Sequence, residues 1–185
     1  MNHHSTLRAR GGFTLIELCI VIAVLGVLMV IGVTSLMRAR MASNETSAVG
    51  GLRATASAQL AYSSGCGRGY YATSYPILGT QPAANSQGYI SEDLGSTATP
   101  SRNGYTFALG LGAGGAVSFD DCNGNPTQSA YYASARPNAP GTTGDRSFAV
   151  NQLNSIYQSA GAIPPTEPFG PPPACWCSDN PRQLN

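Results

Sequence analysis

Two groups near the start of the chain can do chemistry together. Glu17 lies in an apolar run, residues 13–37, that carries no other charge. A charge near the centre of a bilayer costs at least roughly 2.5–3.5 kcal/mol, so such a residue faces a partner and marks function. Ahead of it, residues 1–12 form a short polar leader with Arg8 and Arg10 and no apolar core, ending in Gly11-Gly12. A secretory signal has its apolar region before the cleavage site and loses it. Here the small-residue site precedes the apolar run, so a cut after Gly12 keeps the run and creates a new α-amine on Phe13. An amine and a carboxylate in low dielectric attract strongly, and each offsets the other's desolvation. Within one helix both sit in the first turn and a half, which is awkward. Between two staggered helices the pairing is natural. The plainer alternative is a carboxylate that snorkels to nearby headgroups.

The cysteines are the second candidate group. Cys66, Cys122, Cys175 and Cys177 lie outside the apolar run; Cys19 lies within it and reads as a small apolar residue. The only histidines, His3 and His4, are in the leader. Zinc sites favour Cys with His at tight paired spacing, so disulfides are the better reading and no metal or other cofactor is expected. Four cysteines allow three connectivities. Cys175–Cys177 would close a strained small ring, which favours Cys66 and Cys122 each reaching the tail. Asp120-Asp121-Cys122-Asn123-Gly124-Asn125 resembles part of a calcium loop but lacks the sixth-position glycine and the distal Glu, so a polar turn is expected. Asn44-Glu45-Thr46 fits a glycan acceptor triplet, yet falls in an expected helix. Catalysis has no visible basis: past the leader there is no histidine base, and no Gly-rich loop follows a strand. The chain reads as a non-enzyme.

Gly12-Phe13-Thr14-Leu15-Ile16-Glu17, followed by an apolar helix containing Gly26, resembles the prepilin N-terminus of type IV pilins and of type II secretion pseudopilins. The resemblance is specific over residues 11–60 and architectural beyond. It implies prepilin peptidase cleavage between Gly12 and Phe13, N-methylation of Phe13, and a role for Glu17 in assembly. It also implies partners: other copies of the chain in a helical filament, and a pilus or secretion assembly platform. It further implies that the inner membrane holds the subunit before assembly. Where the family often has proline, this chain has Thr34 with Gly32 nearby. Gly26 and Gly32 remain weak points, each disfavouring helix by ~1 kcal/mol.

These residues need elements to hold them. Residues 13–37 meet the ~20-residue length of a spanning helix. Arginines flank the run on both sides (Arg8, Arg10, Arg38, Arg40), so charge alone does not orient it. The resemblance and the cysteines together place the N-terminus in the cytoplasm. Residues 38–64 continue the helix amphipathically. Met37, Met41, Ala48, Val49, Leu52, Ala56 and Leu60 form its apolar face; Arg40, Ser43, Glu45 and Ser57 lie opposite. Gly50-Gly51 suggests close packing or a gentle bend, and Ser63-Ser64-Gly65 the stop. Residues 65–103 read as a connector loop with a helical turn around Glu92. Residues 104–160 read as short antiparallel strands: 104–109, 130–136, 146–150 and 153–158. Residues 161–185 form a Pro-rich, Cys-containing tail, extended and held by its cysteines.

The expected fold is therefore α+β, pilin-like: a long N-terminal helix packed on a small antiparallel β-sheet. Of 185 residues only 10% are charged and net charge is +1, which leaves no electrostatic footprint for nucleic acid. The best functional expectation is a pilin, in the inner membrane before assembly and in a cell-surface pilus after it. The rivals are a secretion pseudopilin and a monomeric membrane-anchored binding module with Tyr-rich loops.

Overall fold

Absence of proline from residues 13–75 lets one helix run unbroken. In the computed structural model, α1 spans Leu15–Ser64, through Gly26, Gly32, Gly50 and Gly51. The structure describes residues 12–80, 87–169 and 182–184, without the side chains of residues 30–34 and 182–184. The chain forms two compact units, Met1–Ala39 and Arg40–Asn185.

In the second unit, α1 is followed by β1 (Tyr71–Ala72), α2 (Tyr75–Gly79), α3 (Glu92–Gly95) and β2 (Ser101–Arg102). Then come β3 (Tyr105–Leu111), β4 (Val117–Asp120), β5 (Pro126–Gln128), β6 (Tyr131–Pro137), β7 (Arg146–Asn151), β8 (Ile156–Ala160) and β9 (Arg182–Leu184). They form two antiparallel sheets, one ordered β1-β5-β4 and one β2-β3-β6-β7-β8-β9. The fold is α+β and pilin-like, with the helix packed on the sheets. The core joins Ala48, Leu52, Ala56 and Tyr62 of α1 to Tyr105, Phe107, Tyr131, Phe148 and Val150. Gly51 is the point of closest approach: a Cβ there would lie 2.7 Å from the Phe107 ring.

Several expectations change. Leu60, assigned to the apolar face, is 60% exposed. Glu45, assigned to the polar face, keeps only 8% of its side chain exposed and pairs with Arg146. The buried face includes Glu45, Thr55 and Gln59, polar residues that a count of apolar positions passes over. Each has a partner that makes burial tolerable. Glu45 accepts from the Asp145 N–H at 2.9 Å and from Arg146 Nε at 2.8 Å. Thr55 donates to Gly51 O at 2.9 Å. Gln59 donates to Ala72 O and accepts from Ala72 N–H, both at 2.9 Å, as a neighbouring strand would.

The connector is no plain loop: Tyr75, Leu78 and Leu94 of α2 and α3 are fully buried. The first part of the tail, residues 161–169, makes contacts of its own with the larger sheet. Residues 161–169 cross the outer face of the larger sheet as a strap. Tyr132 Oη donates to Pro165 O at 2.6 Å, and Phe169 stacks on Tyr157 with centroids 4.1 Å apart. Glu167 accepts from Ala113 N–H at 2.6 Å and Asn151 Nδ2 at 2.7 Å. β9 lies at the edge of the larger sheet, beside β8.

Candidate assembly terminus

Thr14 starts α1 in a way that involves Glu17 directly. The Glu17 N–H donates to Thr14 Oγ1 at 3.3 Å, and the Leu18 N–H to Thr14 O at 3.3 Å. Thr14 is thus the N-cap and Glu17 the third helical residue, the spacing of a capping box. The Thr-x-x-Glu pattern behind this cap is local and can be read from the sequence alone. An acid in the first turn is also favoured by the helix dipole.

Around this cap the surface is apolar. All twelve large hydrophobic side chains of residues 13–29 are exposed, Phe13 at 87%. Glu17 is exposed among them. Exposed apolar surface on that scale marks contact with lipid or with another chain. Gly12 and Gly26 have open space where a Cβ would sit. Cys19 is an exposed free thiol. Among the described residues no helix is long and apolar enough to cross a membrane. The described side chains of the apolar run stop at Met29 and resume at Ser35, and the sequence between them reads Val-Ile-Gly-Val-Thr.

The other candidates lie in the second unit. Cys66 and Cys122 form a disulfide with each other, which overturns the expectation that both reach the tail. The reason is spatial. α1 ends beside the 121–125 turn, where the Cys122 N–H donates to Cys66 O at 3.1 Å. Cys175 and Cys177 lie outside the described residues. The calcium-like segment is a turn closed on Asp121. Its carboxylate accepts from the Asn123 and Asn125 N–H groups at 2.8 Å each and from Tyr62 Oη at 2.8 Å. Burial pushes the Asp121 carboxyl up, but these donors outweigh it and hold it below its ordinary value. Tyr62 is shifted strongly upward by burial and by the same carboxylate. No group of three or more metal-ligating side chains occurs among the described residues. Asn44 donates its amide to Thr143 O at 2.9 Å, so the nitrogen a glycan would need is engaged.

Residues 7–33 match the prokaryotic N-terminal methylation motif. The chain carries the type IV pilin and pseudopilin signature. No curated protein and no solved structure matches it. The match takes in residues 7–12, the Thr14 cap, Glu17 and most of the exposed apolar stretch, and stops before the second unit. It supports a pilin- or pseudopilin-like protein. In general terms it implies processing by prepilin peptidase, assembly into filaments, and inner-membrane anchoring beforehand. Proteins of this kind are typically structural and non-enzymatic.

Proposed function

We propose that the chain is a structural subunit of a type IV pilus-like filament. It is held in the inner membrane by residues 13–37 with its N-terminus in the cytoplasm, cut after Gly12, methylated on Phe13, and then moved into a helical filament at the cell surface. The observation that carries this reading is the exposed head of α1. A single carboxylate, Glu17, stands among twelve exposed large apolar side chains, inside the matched motif. In low dielectric that carboxylate calls for a cation, and the Phe13 amine of a neighbouring copy supplies one at the right depth. Contacts of this head-to-tail kind do not close on themselves and so give an open filament.

The test is Glu17→Ala in the full chain. The Thr14 cap uses the Glu17 backbone N–H, so the substitution leaves it in place. Membrane insertion should persist and incorporation into filaments should be abolished. Mass spectrometry of wild-type surface filaments should find the chain beginning at N-methylated Phe13. Normal filaments from the mutant would refute the mechanism. Material confined to the envelope, with no surface filaments, would favour the secretion pseudopilus. A solitary chain indifferent to Glu17 and to the cut would favour the binding module.

A further inference from the structure

The strap of residues 161–169 borders a groove on the larger sheet through Ala162. There Thr106, Arg136, Pro137, Asn138, Pro140 and Ala162 line a groove of about 460 Å³. Thr106 and Arg136 are cross-strand partners on β3 and β6, so the sheet itself holds the groove floor. Arg102 and Arg146 are paired with Asp93 and Glu45. Arg136 is exposed and has no acidic partner among the described residues. No lining residue is acidic. Asn138 Oδ1 accepts from Thr106 Oγ1 at 2.6 Å, and Asn138 Nδ2 donates to Ser101 Oγ at 2.9 Å. The second amide hydrogen of Nδ2 stays available, as do lone pairs on the Thr106 and Asn138 oxygens.

We propose that this groove binds an acidic sugar of the uronic acid type. The guanidinium fork of Arg136 would take the sugar carboxylate in a bidentate pair. Thr106 and Asn138 offer the mixture of donor and acceptor that ring hydroxyls need. The two prolines and Ala162 supply apolar walls for the ring. The volume lies within the ~300–1,000 Å³ of small organic ligand sites, well above what a bare anion would fill. An extended peptide suits the groove poorly. Strand addition needs a free sheet edge, and β3 and β6 are both interior strands with neighbours on either side.

The experiment titrates glucuronic acid into the full chain in detergent micelles, with glucose, acetate and a tripeptide bearing a free C-terminal carboxylate as parallel probes. Glucuronic acid should bind saturably and about tenfold or more tighter than each of the others. Arg136→Gln should weaken it about tenfold or more while the melting temperature stays at the wild-type value, since the side chain is exposed. Arg136→Lys keeps the charge, loses the fork, and should fall between. The proposal is overturned by no glucuronic acid binding, by equal binding of glucose, acetate or tripeptide, or by binding unchanged in both variants. None of these outcomes depends on Glu17 or on assembly, so this inference and the filament reading stand or fall separately.

Discussion

Residues 13–29 and residues 40–64 belong to one helix and use their side chains in opposite ways. Among the described residues, the first stretch buries none of its large apolar side chains and carries one exposed carboxylate. The second buries both apolar and polar side chains and finds an internal partner for Glu45, Thr55 and Gln59. Helical order therefore says nothing about where a helix gets its stability. The second stretch is held by the sheets of its own chain. The first presents apolar surface of the kind that lipid or other chains cover.

The contrast can be broken or sharpened by experiment. The largest stability effect should come from the disulfide that ties the end of α1 to the 121–125 turn. Its cysteines are 56 residues apart, and closing a loop of that size restricts the unfolded chain by about 4 kcal/mol. Replacing Cys66 and Cys122 with Ser should therefore lower the melting temperature of the second unit sharply. A variant with unchanged melting would show that the internal contacts alone hold this part of the helix.

Alkaline pH should act on the same unit. Burial pushes Tyr75 and Tyr132 up to about 12, and raises Tyr62, Tyr105 and Tyr131 further. All five are protonated below the ordinary value of 10.0 whether the chain is folded or not. Above it the unfolded chain releases protons first. The tyrosine contribution is thus fully present below about pH 10 and is lost as pH rises through about 12. Residues 13–40 contain no tyrosine. Near-ultraviolet absorbance against pH should show late tyrosine ionisation coinciding with loss of the second unit. Titration of all nine tyrosines near pH 10 in a still-folded protein would contradict the packing.

Neighbouring glycines give the finest discrimination. Gly51→Ala would press a Cβ into the Phe107 ring and should cost about 1–3 kcal/mol. Gly50→Ala meets open space and should stabilise the helix by up to ~1 kcal/mol. Chemical denaturation of the two variants should show opposite signs. Equal responses would mean that the helix does not approach the sheet as closely as the Phe107 contact requires.

Legibility followed the range of the interactions. The stop of α1 at Ser64 was readable from Ser63-Ser64-Gly65, and β3, β6 and β7 from alternation between turns. β1, β2 and β9 are two or three residues long, too short for any period to register. β4 was hidden because Val117 and Phe119 are exposed at a sheet edge and pack on little. The burial of Glu45 leaves no local sign, because its partners, Asp145 and Arg146, lie about a hundred residues away.

The amino-acid order alone marked this end of the chain: the motif of residues 7–33, the Thr14-to-Glu17 cap spacing within it and the apolar stretch that follows. Those depend on covalent sequence and on interactions within one helical turn. Only the tertiary structure decided that Cys66 joins Cys122, that Glu45 is buried, and that residues 161–169 lie against the larger sheet. Each of those outcomes depends on which distant groups the folded backbone brings within bonding distance, and no local pattern encodes that.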